Sequence, residues 1–366
     1  MSPYAGRRSR LRAALHEHGL SALVVSHLPN VRYLTGYVGS NAIAVVGPEG
    51  TKLLTDARYA VSAREQVDDD VSVIIGPGDL TTYAARVIAE LAPGGAAGVE
   101  GVHVSMFQGE RLAVAVAGAD PAIVLTPHVG LVEQLRMVKD DGEIAAIARS
   151  AAITDAALSA VLEDGLIDRP EREVAFAIQT EMFRLGAEGP SFETIVAAGP
   201  NGAKPHAVPG ARRIGAGELV VIDLGSIADG YCSDMTRTSI TGDLPAQLSR
   251  AYRVCAEAQA AAVAAVRPGI ACKDLDAIAR DLITDAGFGE EFGHGLGHGV
   301  GLEIHEGPRV SREGSDILRP GMVVTIEPGI YIEGVGGVRI EDLVVVTDNG
   351  CRVLSQAPKA SVSSGD

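Results

Sequence analysis

The chain is short of basic residues and of cysteine, and it has no long uninterrupted apolar run. Its 31 lysines and arginines face 47 aspartates and glutamates, giving a net charge of -16 over 366 residues. A field of that sign repels polyanions, so neither nucleic acid nor an anionic membrane surface is expected as a partner. The four cysteines, Cys232, Cys255, Cys272 and Cys351, follow neither metal-finger nor disulfide-framework spacing, and a reducing cytoplasmic setting is expected. Cys232 stands two residues from Asp234 but reads as a small buried hydrophobe, because carboxylate sites favour harder metals than a thiolate does. The most apolar helical stretch is read at 254–266. It is mostly alanine, contains Glu257 and is too short for a bilayer, so no membrane span is expected. Arg7, Arg8, Arg10 and Arg12 cluster early, but no apolar signal-peptide core follows, and they are expected on the exposed face of a first helix.

Hydrophobic residues make up 46% and charged residues 21%, a globular balance at a length that accommodates two domains. The first part alternates between helical and strand patterns. Helices are expected near 8–18, 58–66, 81–91 and 105–116, and strands at 22–26, 43–46, 52–55 and 71–75, which implies a small α/β domain. Charge density rises over 135–143, so the boundary is placed there, giving domains 1–134 and 135–366. Alanine-rich helices follow at 143–163 and 171–185. A strand at 194–198, helices at 248–266 and 273–286 and two strand-turn-strand segments complete a helix-pair, strands, helix-pair, strands order, which reads as α+β.

Within those two strand-turn-strand segments lie the residues that carry chemistry. The apolar run Leu219-Val220-Val221-Ile222 leads into Asp223, and Asp234 begins a stretch rich in β-formers beyond the Asp229-Gly230 turn. A turn centred between Ala228 and Asp229 sets Asp223 opposite Asp234, with side chains about 5 Å apart. Like charges at that range repel, and no arginine stands directly opposite either one. A cation or a raised pKa is therefore required. The second segment repeats the pattern, with Met322-Val323-Val324-Thr325-Ile326 leading into Glu327 and Gly336-Gly337-Val338-Arg339-Ile340 leading into Glu341. A turn centred on Gly334 sets Glu327 opposite Glu341, so that four carboxylates from two hairpins converge.

An imidazole donor is offered by Phe292-Gly293-His294-Gly295-Leu296-Gly297-His298-Gly299. His294 and His298 have helical spacing, but the glycine density argues for a strand or loop whose backbone closely approaches a ligand. Taken singly, each residue has a plainer reading: Asp beside a turn as a turn cap, His294 as a hydrogen-bonded structural histidine, Glu341-Asp342 as a solvated strand end. Their order and their shared position at the ends of apolar segments favour a joint metal site. Four carboxylates match the charge of two divalent ions, and their oxygen-rich sphere suits Mn²⁺, with Co²⁺, Zn²⁺ and Fe²⁺ as rivals.

Asp223, Asp234, His298, Glu327 and Glu341, in that order and context, resemble the five metal ligands of the pita-bread metallopeptidases, which include prolidase, aminopeptidase P and methionine aminopeptidase. The resemblance is carried by Asp234-Met235-Thr236-Arg237-Thr238, the stretch from His294 to His305, Ile326-Glu327-Pro328-Gly329 and Val338-Arg339-Ile340-Glu341-Asp342. It is tight from Arg136 onward, and looser for an N-terminal domain similar to that of creatinase and prolidase. It implies a smaller N-terminal α/β domain followed by a pita-bread catalytic domain, with activity of the prolidase and aminopeptidase P branch on a peptide whose second residue is proline.

By the same resemblance, Asp223 binds one ion through both oxygens, Asp234 and Glu341 bridge, and His298 and Glu327 complete the other ion. Glu327 also shuttles a proton. His206 and His305 orient the substrate and stabilise an oxyanion, and His294 steadies the metal-side shell. Arg339 lines the substrate site, Arg309 takes a dipeptide carboxylate, and a homodimer is implied. The competing expectations are a creatinase-like hydrolase that works without metal and a catalytically silent peptide-binding protein.

Overall fold

The structure, a computed structural model, describes residues 2–76 and 79–360. The chain divides into two compact units, Met1–Arg136 and Met137–Asp366.

Unit one is built on a mixed sheet of β1 (Ala22–Val25), β2 (Ala42–Val46), β3 (Thr51–Thr55), β4 (Val71–Ile75), β5 (Ala96–Glu100) and β6 (Val124–His128), in the order β4-β3-β2-β1-β5-β6. Strands β1, β2 and β3 pair antiparallel, while β3–β4, β1–β5 and β5–β6 pair parallel. The expected strands are present, but β5, β6 and the helix Leu28–Thr35 go beyond the sequence reading. The run Ala96-Ala97-Gly98 has little intrinsic strand preference, and it is extended because it is clamped between β1 and β6.

The early arginines correct an expectation. They lie on the helix Pro3–Glu17, yet Arg7 and Arg8 are buried. Arg8 donates to the Leu34 carbonyl at 2.8 Å and pairs with Asp68 at 2.9 Å, and Arg7 lies over the Tyr33 ring. The cluster therefore fastens this helix to the chain that follows, as a buried charge must be paired to persist.

Unit two carries, in chain order, β7 (Gly189–Pro190), β8 (Ile195–Ala198), β9 (Leu219–Leu224), β10 (Ser226–Ala228), β11 (Tyr231–Cys232), β12 (Met235–Ile240), β13 (Gly297–Gly299), β14 (Glu306–Val310), β15 (Val323–Ile326), β16 (Gly329–Ile332), β17 (Gly336–Arg339), β18 (Asp342–Val346) and β19 (Cys351–Val353). The principal sheets run β12-β9-β8 and β14-β13-β15-β18-β19. One core packs Val174, Ile178 and Met182 of the helix Glu171–Arg184 against Val220, Ile222 and Leu224 of β9. A second packs Ala251, Cys255 and Ala258 of the helix Ala246–Ala265 against Val324, Ile326 and Val338.

By length and composition, it is the helix Asp141–Glu163 that could cross a membrane, not the stretch at 254–266 singled out from sequence. In this fold Ala157, Leu158 and Val161 pack into the first of those cores. On the same helix, Ser150 donates to the Ser226 carbonyl at 2.6 Å and Thr154 bonds Ser233 at 2.8 Å. It is a core helix of unit two.

Both hairpins form, and the first differs in register from expectation while the second agrees. The first turn is centred on Asp229-Gly230, both with positive φ (50° and 72°), as a two-residue primed turn requires. Ile227 therefore pairs with Cys232 and Asp223 with Thr236, not with Asp234. In the second, Ile326 pairs with Asp342 and Gly329 with Arg339. That is the register inferred for Glu327 and Glu341, although both fall in the break between two ladders.

Candidate metal centre

The site lies where these strands end. Asp223 is the penultimate residue of β9, and Asp234 immediately precedes β12. Glu327 follows β15, Glu341 immediately precedes β18, and His298 is the middle residue of β13. Because side chains alternate along a strand, Ile222 and Leu224 enter the core while Asp223 points the other way. Pro328 cannot donate to a ladder, and the strand breaks there. The Glu327 amide turns to the Leu296 carbonyl, and the Glu341 amide to the Thr236 carbonyl. The first bond ties the second hairpin to the histidine stretch, and the second ties it to the first hairpin.

Carboxylate oxygens of Asp223, Asp234 and Glu341 lie within 4.8 Å of one another. His298 Nε2 is 3.5 Å from Asp234 Oδ2 and 3.3 Å from Glu327 Oε1. Its Nδ1 faces the Gly299 carbonyl at 3.0 Å, which fixes the tautomer and leaves Nε2 as a donor atom. Thr236 donates to Glu341 Oε2 at 2.7 Å and Thr325 to Glu327 Oε1 at 3.0 Å. Each carboxylate is thereby oriented through one oxygen. Among the described residues, Asp223 Oδ1 and Glu341 Oε1 are buried with no hydrogen-bond partner.

The electrostatics follow from this crowding. Burial, then repulsion from Glu341 and Asp223, holds the Asp234 carboxyl well above its ordinary range. Burial and the charges of Glu327 and Asp223 do the same to Glu341. Asp223 is also raised by burial, against the pull of Arg339. For Glu327 burial is outweighed by its hydrogen bond and charge interaction with His298, which bring it down to about 2. His298 is raised because Glu327 overcomes the cost of burial.

Among the described residues, no arginine is paired directly opposite Asp223 in the ladders, but Arg339 stands beside it. It reaches Asp223 from β17, donating to Oδ2 at 2.5 Å, and is 4% exposed. Its other donors go to Thr236 Oγ1 at 3.0 Å, to the Pro205 carbonyl at 3.3 Å and to Tyr331 Oη at 2.7 Å. Tyr331 in turn meets His294 Nε2 at 3.0 Å, while His294 Nδ1 faces the Gly295 carbonyl at 2.8 Å. The sequence reading missed Tyr331, Thr236 and Thr325 as participants, since only the folded register shows them beside the charged groups. His305 is exposed, its ring 4.5 Å from that of His298. His206 is exposed and lies near enough for its charge to act on His305. Arg309 is exposed and pairs in register with His298. Cys232 is buried among apolar neighbours.

Residues 145–348 match the model of metallopeptidase family M24, and residues 7–138 match the creatinase/prolidase N-terminal domain. The chain belongs to metallopeptidase family M24. It is 38% identical over 354 residues to an uncharacterized peptidase of Bacillus subtilis, covering 96% of this chain and 98% of that one. An Xaa-Pro dipeptidase from Bacillus anthracis superposes with a TM-score of 0.92 at 35% identity, covering 98% of this chain and 99% of the other. An X-Pro aminopeptidase from Thermotoga maritima gives 0.86 at 32% identity, covering 97% and 99%. This chain thus carries a pita-bread domain and a creatinase-type N-terminal domain, and family membership implies divalent metal ions. The site fits them. It offers hard oxygen donors and one imidazole, two buried carboxylate oxygens with no protein donor, and an excess of negative charge that Arg339 alone does not offset.

Proposed function

We propose that this chain hydrolyses the Xaa-Pro bond at the N-terminus of dipeptides or short peptides, with Asp223, Asp234, His298, Glu327 and Glu341 holding two divalent ions, Mn²⁺ foremost. The observation that carries the reading is the buried carboxylate cluster with partnerless oxygens, in a chain that superposes along nearly its whole length on an Xaa-Pro dipeptidase. When bound, the ions supply charge compensation, polarisation of the scissile carbonyl and a water of lowered pKa.

The residues of the chain divide the remaining work. Glu327 is ionised at neutral pH, so it enters the reaction as a proton acceptor. It can take the proton of the attacking water and return it to the departing proline nitrogen. His305, though exposed overall, is held below its ordinary pKa by partial loss of solvent around its ring and by His298, and is therefore neutral, free to donate a hydrogen bond to the developing oxyanion with His206 beside it. His294 is kept neutral by burial, and Tyr331 holds it in place. Arg339 spends its donors on Asp223, Tyr331, Thr236 and Pro205, and its role is to brace the aspartate. Exposed Arg309, across the ladder from His298, is suited to the free carboxylate of a dipeptide.

The test is a kinetic comparison of Xaa-Pro with Xaa-Pro-Yaa peptides, with Mn²⁺ added to the stripped protein. Metal-dependent turnover is expected, faster on the dipeptide. If neither peptide is cleaved in a metal-dependent way, the proposal fails.

A further inference from the structure

We propose that Glu171 is a positioning residue that sets the loop carrying His206. The inference rests on the reading of His206 as a group that contacts the substrate of the Xaa-Pro reaction. Glu171 is the first residue of the helix Glu171–Arg184 and is 1% exposed. An acidic side chain there would ordinarily serve the amides of its own first turn. Among the described residues, its hydrogen bonds instead come from elsewhere. Oε1 accepts from the Ala198 amide at 2.8 Å and from Asn201 Nδ2 at 3.2 Å. Oε2 accepts from the Gly210 amide at 3.1 Å and from Asn201 Nδ2 at 3.0 Å.

One buried carboxylate therefore holds both ends of the loop between Ala198 and Gly210. Charge-assisted bonds of this kind are the strong ones, and an anion at this depth is retained only because its acceptors are filled. The middle of the loop is fixed separately. Gly202 packs so closely on β17 that a Cβ on Gly337 would stand 2.0 Å from the Gly202 carbonyl oxygen, and the Pro205 carbonyl accepts from Arg339. His206 follows at once, exposed and near enough to His305 for its charge to act there. Its position is thus set by Arg339 on one side and, through Gly210, by Glu171 on the other. Glu171 touches neither metal donors nor substrate, so its influence runs through the loop.

The experiment compares metal-loaded wild type with Glu171→Gln, His206→Ala and the double variant. Glu171→Gln removes an acceptor and introduces a donor facing the loop amides. Expected is a fall in kcat on an Xaa-Pro dipeptide of about tenfold or more, with Mn²⁺ affinity by calorimetry unchanged. The double variant should be no slower than His206→Ala alone, because residues acting through one another are not additive. Asn201→Ala, a milder change, should shift kcat in the same direction, which protects the test if Glu171→Gln folds poorly. Hydrogen exchange supplies a readout independent of activity: amides of 199–210 should exchange faster in Glu171→Gln while those of β9 do not. The inference is overturned by unchanged exchange in the loop, by multiplicative losses in the double variant, or by a parallel loss of Mn²⁺ affinity. A wild type inactive on Xaa-Pro peptides would instead overturn the functional reading, and the exchange result alone would then decide the positioning role.

Discussion

The contact between Arg339 and Asp223 shows how charge is apportioned in this site. One guanidinium serves a group of carboxylates, and it reaches the one at the end of β9, leaving Asp234 and Glu341 to repel each other. In the metal-free protein these two carboxyls hold protons at a pH where they would be ionised in the unfolded chain. The folded form therefore binds more protons, and the stability this gives is complete below the ordinary carboxylate pKa and is lost as pH rises through the raised folded values. The stripped protein should melt at progressively lower temperature as pH rises above the ordinary carboxylate range. Asp234→Asn removes one of the repelling charges, so the stripped variant should melt above stripped wild type at the alkaline end while gaining less from added Mn²⁺. Calorimetry across pH checks this, and a variant that melts lower at every pH would refute it. At this scale the convergence of Asp223, Asp234 and Glu341 was legible, because acidic residues ending apolar runs are costly unless something compensates them. The partners Tyr331 and Thr236 were not legible, since a neutral hydroxyl carries no such signal until the register brings it beside a charge.

At the scale of elements, register decided what could be read. The Asp229-Gly230 pair fills both central turn positions because both need positive φ. Centring the turn one residue earlier slid the predicted ladder by two, which kept every side chain on its proper face while naming the wrong partner. Gly334 marks its own turn by a φ of 72°, and that register was correctly inferred. Helix Leu28–Thr35 did carry a local signal, proline in its first turn and Gly36 as a left-handed cap, whereas β5 had none. The glycines around His298 have a packing reason: a Cβ on Gly297 would stand 2.0 Å from the Thr325 carbonyl oxygen, and the next amide donates to Thr325 Oγ1. Gly297→Ala must push β13 from β15 and carry His298 away from Glu327. A loss of about 1–3 kcal/mol in stability is expected, together with weaker Mn²⁺ binding, measured by denaturant unfolding and titration calorimetry. Wild-type metal affinity in a folded Gly297→Ala protein would show that the close approach is unimportant to the site.

For the whole molecule, the consequence is that each unit has a separate source of order. Unit one rests on a core among Val24, Val45, Leu54, Ile88, Val99 and Val116, and its buried charge is already compensated, as in Arg8 with Asp68. Unit two also has apolar cores, but at the junction of β9, β12, β13, β15 and β18 it gathers like charges whose compensation by the protein is incomplete. Cations that bind there act as a further cross-link among strand ends that the Glu341 amide, Thr236 and Arg339 already join by hydrogen bonds. Ligand binding to the folded form stabilises by about 2.7 kcal/mol at a hundredfold excess over Kd, and that stabilisation belongs where the donors are. Removing metal with a chelator should therefore accelerate hydrogen exchange in β9, β12, β15 and β18 while leaving β1 to β5 unchanged. Readdition of Mn²⁺ should restore the slow exchange. If chelation loosened the strands of unit one as much as those of unit two, or loosened neither, the carboxylate cluster would not be the place where metal enters the stability of this protein.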